Sequence, residues 1–246
     1  MTPFITLAII AILAILLFLF TRRVKAGTAV SLRALKGYSG LHNQIGRSIE
    51  SGSRMHVTLG QASLVSDASP TSIAAVTVLD YLAKDSCANA TPPLATVGEG
   101  TLLPAVQASL HNAYKQAGNT GQYDTTAGQF IASENDTIAY GGGINNLIHQ
   151  EKVTSNIVMG RLGAELAIIT EAADRKGIGQ VIGSDDPTAL ALATAVTDDL
   201  LIGEELLASG AYLEGEPIHL ATLLLQDTLR WIIALIVLIT ALLQLI

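Results

Sequence analysis

The chain has 246 residues, with 14 Lys and Arg against 21 Asp and Glu, for a formal net charge of -7. An acidic chain that is only 4% aromatic lacks the basic face of a nucleic-acid binder and the stacking platforms used on single strands. Its one cysteine, Cys87, excludes an intramolecular disulfide framework and fits a reducing compartment.

The first element is the uncharged run from Pro3 to Phe20. Roughly eighteen apolar residues are enough for a helix that crosses a bilayer core. No basic residue precedes it, and Arg22, Arg23 and Lys25 follow it. That order is the reverse of a cleavable secretion signal, so residues 1–25 read as an uncleaved anchor with its flank. Ala8, Ala11 and Ala14 would let another helix approach. Leu32, Leu35, Leu41, Ile45 and Ile49 then recur at helical spacing, which predicts a helix over about Ala29 to Ile49.

From there to residue 216, short β-type runs alternate with longer helical patterns. The strand ends read HVTLGQAS, LATVGEGT, QFIASEND, NIVMGRLGAE, QVIGSDDPT and DLLIGEE. Helices are expected over about Thr71 to Lys84, Leu102 to Gln116, Thr137 to Gln150, Leu162 to Lys176, Pro187 to Val196 and Glu204 to Tyr212. Such alternation predicts a doubly wound, mainly parallel, Rossmann-like α/β domain over residues 26–216, covered by helices on both faces. Its strands are continuous apolar runs, as strands buried on both faces should be. Gly141-Gly142-Gly143 interrupts one helical pattern, and close packing is the expected reason. The last element is the apolar run from Trp231 to Ile246, extended inward by Leu223, Leu224, Leu225 and Leu229. A helix starting at Pro217 would span about thirty residues, or roughly 45 Å.

All four flanking basic residues, Arg22, Arg23, Lys25 and Arg230, face the intervening region. The expectation is therefore a two-pass plasma-membrane protein with a cytoplasmic central domain and both termini outside. The spans carry no ionisable residue within their apolar cores, which argues against a transporter.

In a parallel sheet every strand-to-helix turn lies at one edge, where open α/β folds bind ligands. Glycine directly follows five of the six runs, at Gly60, Gly98, Gly160, Gly183 and Gly203. With Glu99, Arg161, Gly163, Ser184, Asp185 and Glu204 they form a candidate ligand-binding rim, to which Gln61, Ser63, Thr101, Glu134, Asn135, Glu165 and Glu205 also belong. A phosphate cradle is the weaker use of these turns. The full G-x-G-x-x-G and the P-loop are both absent, and carboxylates can occupy the helix starts themselves. Asp186 in particular is a good N-cap, followed by Pro187 at the first helical position. Asp185, Glu204 and Glu205 could offer oxygen ligands to a hard cation. No G-x-S-x-G elbow occurs, no histidine sits in a nucleophile motif, and His56 reads as a core residue.

Three stretches, IGRSIESGSRMHVTLG (45–60), GRLGAELAIITEA (160–172) and DDLLIGEELLASGAYL (198–213), together resemble a family of bacterial membrane proteins. That family is a domain of unknown function from Chloroflexi-like genomes, with an α/β region between paired anchors. The resemblance implies a bacterial plasma-membrane location, and neither a catalytic residue nor a cofactor. The first expectation is a non-enzymatic scaffold at the bilayer, associating with copies of itself. The second is a membrane-tethered sensor of a small molecule or nucleotide. The third, weaker, is a divalent-metal-dependent hydrolase on the acidic rim.

Overall fold

Every apolar run of the central region is a strand in the computed structural model, which describes residues 3–244. The strands are β1 (Arg54–Thr58), β2 (Leu94–Val97), β3 (Gly128–Phe130), β4 (Val153–Met159), β5 (Gly179–Ser184) and β6 (Leu200–Ile202). They form one sheet in the order β3-β2-β1-β4-β5-β6, and every neighbouring pair is parallel. This is the strand order of doubly wound dinucleotide-binding folds, with its reversal between β1 and β4.

Two compact units are present: Ala34–Ser209, which holds the sheet, and the residues up to Arg33 together with those from Gly210 on. In the sheet unit the crossovers are α3 (Ser69–Ala88), α4 (Leu102–Gln116), α5 (Thr137–Gln150), α6 (Leu166–Arg175) and α7 (Pro187–Ala193). The last three cover one face, around a core that includes Tyr140, Ile144, Ile148, Val158, Leu166, Ile169 and Ile182. On the other face lies α2 (Lys36–Ser51), where the Ser155 hydroxyl donates to Gln44 Oε1 at 2.8 Å. There α3 meets α2, α4 and the short α8 (Glu204–Leu207).

Several boundaries differ from the periodicity; α3 runs from Ser69 to Ala88 and α7 stops at Ala193, and three differences are larger or have a visible cause. The leucine spacing ran past the start of α2: Leu35 is extended (φ -114°, ψ 128°), and the helix begins at Lys36. There Gly37 and Gly40 bring the backbone against Leu201 and Asp199. Helix α6 starts at Leu166 rather than Leu162, because residues 161–165 form a loop tied by Glu165. The expected helix over Glu204 to Tyr212 divides into α8 and a π-helical turn, Gly210–Glu214. The three glycines do not break α5. A Cβ at Gly141 would crowd Glu165 O and Ile168, one at Gly143 would meet Ile131, and one at Gly142 would meet nothing. Two of the three therefore serve close packing.

One buried row across the sheet is polar. His56 on β1, Asn156 on β4 and Gln180 on β5 are register partners. His56 Nδ1 lies 2.7 Å from Asn156 Oδ1, and its Nε2 lies 2.9 Å from Thr96 Oγ1 on β2. Asn156 donates to Gln180 Oε1 (3.0 Å), and Gln180 donates to the Thr170 carbonyl of α6 (3.1 Å). The row satisfies itself, as buried polar groups must.

The second unit contains α1 (Pro3–Lys25) and α9 (Pro217–Leu243). Both are long and apolar enough to cross a membrane, and they touch each other. Their large side chains stay exposed, including Phe4, Leu7, Phe18, Trp231 and Leu243. An apolar surface of that extent needs a lipid or protein cover. Thr21, Thr228 and Thr240 return their hydroxyls to carbonyls four residues back, which satisfies them without water.

Burial holds the His56 imidazole neutral by lowering its pKa from 6.5 to about 4, against an opposing hydrogen bond to Asn156. The unfolded chain binds a proton there that the fold does not. Stability is thus full above about pH 6.5 and falls as the pH drops toward 4, by an amount on the order of 3 kcal/mol. His56→Gln, which keeps a polar hydrogen-bonding side chain but takes no proton, should flatten this part of the profile. Denaturant melts of the full chain in detergent at pH 7 and pH 4.5, followed by circular dichroism, check it. An equal acid loss in the variant would count against the assignment.

Candidate functional site

At the reversal point the crossovers after β1 and β4 leave toward opposite faces, which opens a crevice beyond the strand ends. The first turns of the two loops meet there backbone to backbone. Gly60 (φ +76°) and Gly160 (φ +128°) both have left-handed geometry. A Cβ on Gly60 would lie 2.5 Å from Arg161 O, and one on Gly160 would strike the Leu59 carbonyl. The Gln61 N–H then donates to Arg161 O at 3.1 Å. Glycine is required at both positions, because only it allows this dihedral and this approach together.

Arg161, fixed by that contact, reaches to the end of β5. Its Nε donates to Asp185 Oδ1 (3.1 Å) and its Nη2 to Asp185 Oδ2 (2.6 Å), a bidentate pair. Thr71 of α3 donates to the same Oδ2 at 2.8 Å. Burial alone would raise the Asp185 pKa. The hydrogen bonds from Arg161 and Thr71, with the guanidinium charge, outweigh it and hold the carboxyl below its ordinary value. The bond to Asp185 raises Arg161 in turn. The two adjacent aspartates therefore do different work. Asp185 clamps three elements together, and Asp186 caps α7 by accepting from Thr188 N (2.8 Å) and Ala189 N (3.0 Å).

Beside this clamp is an open cleft of about 290 Å³. Its walls come from the β1–α3 loop (Gln61, Ser66, Asp67), the start of α5 with its preceding loop (Glu134, Thr137), the β4–α6 loop (Arg161 to Glu165) and Asp186. Four carboxylates, Asp67, Glu134, Glu165 and Asp186, stand around one guanidinium, which pairs with Asp185 at 2.6 Å and with Asp67 at 3.8 Å. Glu165 is the enclosed member, at 6% exposure. Its Oε1 accepts the Gly163 N–H at 2.7 Å. No hydrogen bond or salt bridge reaches Oε2 among the described residues, and no cation pairs with it.

The rim residues named from sequence thus divide. Gly60, Gly160, Arg161, Gly163 and Asp185 come together at the reversal point. Gly98 and Gly183 are buried in packing, the first against Gln61 and Tyr140 and the second against Met159, Leu201 and Leu206. Glu99 folds back onto its own loop, accepting from Thr101 N at 2.6 Å. Ser184 is buried at the end of β5, and its carbonyl accepts the Gly203 N–H at 2.8 Å. Glu204 lies farther along, on α8. The proposed hard-cation set does not form. Asp185 is held by Arg161 and Thr71, and Glu205 accepts the Ile202 N–H at 3.0 Å. Among the described residues, the group whose ligand atoms do converge is Glu214, Glu216 and His219, within 4.8 Å, at the π-helical turn of the other unit. Sequence reading missed Thr71, Asp67 and Tyr140. Tyr140 is wholly buried and hydrogen bonds to Thr58 and to the Gly60 carbonyl (3.3 Å), supporting the glycine turn from below. An isolated tyrosine in a helical pattern carries no signal of that role.

A family model spans this architecture from end to end. It matches residues 2–246 and is described as Domain of unknown function (DUF6754). The chain belongs to the DUF6754 family. No curated protein and no solved structure matches it. Membership in DUF6754 thus covers both apolar helices together with the sheet, and assigns no chemistry to the cleft.

The clamp predicts measurable coupling. Arg161→Met leaves Asp185 with Thr71 alone, and Asp185→Asn leaves Arg161 without its bidentate acceptor. A double-mutant cycle on thermal stability should give about 1 kcal/mol, the upper end for a pair whose cation is partly solvated. Coupling near zero would show that the loops hold without it.

Proposed function

We propose that the protein is a membrane-anchored ligand-binding domain that uses the reversal-point cleft as a sensing site and performs no catalysis. The observation that supports this is the open cleft of about 290 Å³ at the strand-order reversal, walled by three loops and bordered by the Glu165 carboxylate. Ligand sites of this fold class also lie where this cleft lies.

A nucleotide is the poorer occupant. The donors a phosphate would use are already engaged: Gln61 N–H by Arg161 O, Gly163 N–H by Glu165, and the Arg161 guanidinium by Asp185. The starts of α5 and α7 are capped by Asp136 and Asp186. Each carboxylate already supplies the negative charge a helix start favours. A hydrolase built on Asp185, Glu204 and Glu205 is disfavoured for the reason given above.

A self-associating scaffold is the second reading. It is favoured by Val65 and Ile138, exposed at 85% and 74% and adjacent in sequence to cleft residues. The acidic composition supports neither a nucleic-acid partner nor attraction to an anionic leaflet. In both readings α1 and α9 are the anchors, the membrane is the bacterial plasma membrane, and the sheet unit is cytoplasmic. The basic residues flanking the two spans support that orientation.

Native mass spectrometry of the full chain in mild detergent tests the two readings together. A retained small molecule on a monomer supports the sensor, and a bare, defined oligomer supports the scaffold. Orientation has its own test. Added protease should cut the sheet unit in inverted vesicles and spare it in intact spheroplasts, and the opposite pattern overturns the topology.

A further inference from the structure

Resting on the reading of α1 and α9 as membrane spans, we propose that the pair holds one anionic phospholipid, with its phosphate on Arg23. Where α1 ends, the two helices enclose an open cavity of about 300 Å³. Helix α1 lines it with Phe20 and Arg23, and α9 with Leu224, Asp227, Thr228 and Trp231. The turn after α1 folds back, its Thr28 N–H donating to the Arg23 carbonyl at 3.3 Å, and so brings Thr28 into the same wall. Phe20 precedes Arg23 on α1, and Trp231 follows Asp227 on α9. The two aromatic members therefore stand on the side of the apolar spans, and the charged ones on the side of water. Trp231 stays 78% exposed, as an aromatic at headgroup level does. From Phe20 back to Pro3, and from Trp231 on to Leu243, neither helix carries a charge. Acyl chains can follow those surfaces while a headgroup sits in the cavity.

The charges decide which headgroup. Asp227 is answered on its own helix, by Arg230 Nη1 at 3.3 Å. The Arg23 side chain makes no hydrogen bond or ion pair among the described residues. The cavity thus offers an uncommitted guanidinium beside an acid that already has its cation. A guanidinium can give two parallel N–H bonds to a phosphate, and the Thr28 hydroxyl can add a third. Arg22, Lys25 and Arg230 stand close by along the two helices. This basic surplus is local, in a chain whose formal net charge is -7. It favours a headgroup that keeps its negative charge over one whose own ammonium cancels it. A free phosphate carries the same charge but places nothing against Phe20, Leu224 and Trp231.

The test adds phosphatidylglycerol, or phosphatidylcholine with the same acyl chains, to the full chain in an uncharged detergent and reads lipid adducts by native mass spectrometry. The expected result is one phosphatidylglycerol per chain, retained under activation that strips phosphatidylcholine. Arg23→Gln should weaken its retention about tenfold, the worth of a charge-assisted hydrogen-bonded pair. Arg22→Gln removes the same charge one residue away, where the side chain lies 5.9 Å over the Phe18 ring and outside the cavity. It should leave retention unchanged. Leu224→Trp, which narrows the cavity and keeps every charge, should also displace the lipid, and it keeps the test open if Arg23→Gln inserts poorly. Equal loss in the two arginine variants would reduce the effect to diffuse charge and overturn the proposal. Equal retention of the two lipids, or displacement of the lipid by inorganic phosphate alone, would overturn it as well. If the chain stays in solution without detergent, the span reading itself fails. If it needs detergent and yet selects no lipid, this proposal alone falls.

Discussion

The contact on which the rest depends is the meeting of two backbones at Gly60 and Gly160. At the reversal point of a doubly wound sheet the two strands send their crossovers to opposite faces, so their loops would diverge. Here they touch, because neither position carries a Cβ and both take left-handed dihedrals. The contact sets where the next residue, Arg161, begins, and so where its guanidinium can reach. Asp185 and Thr71 complete the connection, joining β5 and α3 to the loop after β4. The cleft is the space left beside this closure.

The closure also decides the chemistry of the edge. In phosphate-binding members of this architecture, backbone N–H groups and a helix start point at the ligand. In this chain the corresponding donors are turned inward, to a carbonyl at Gln61 and to carboxylates at Gly163 and at the starts of α5 and α7. What remains facing the cleft is acceptor rather than donor. The same strand order that elsewhere serves an anion therefore presents an acidic surface, and Glu165 is its most enclosed point.

The polar row through the sheet shows the same economy of partners. His56, Asn156 and Gln180 sit in register on three strands, and Thr96 and the Thr170 carbonyl close the ends. Such a row fixes strand alignment, because a slip by one residue would leave every member unsatisfied. Tyr140 does comparable work one layer nearer the site, where it bonds to Thr58 and the Gly60 carbonyl.

The strands, the helices and the apolar termini were legible in the residue order because they rest on local periodicity and on length, which need no knowledge of neighbours. The Asp186 cap was legible for the same reason: a carboxylate, a proline and an apolar run make a helix start wherever they occur. Helix α2 was misjudged at its first turn because leucine spacing continues where the backbone does not. The division of roles between Asp185 and Asp186 could not be read, since their difference lies in Arg161 and Thr71, 24 and 114 residues away. Likewise Gly98 and Gly183 looked like Gly60 and Gly160, each directly after an apolar run, yet only strand order separates packing glycines from the pair at the reversal point. Residue order alone determined the class of fold, the two apolar helices and the acidic balance, because composition and short-range pattern carry them. Tertiary structure alone decided which carboxylates are engaged and which of them line a cleft, because pairing is a property of distance in space rather than along the chain.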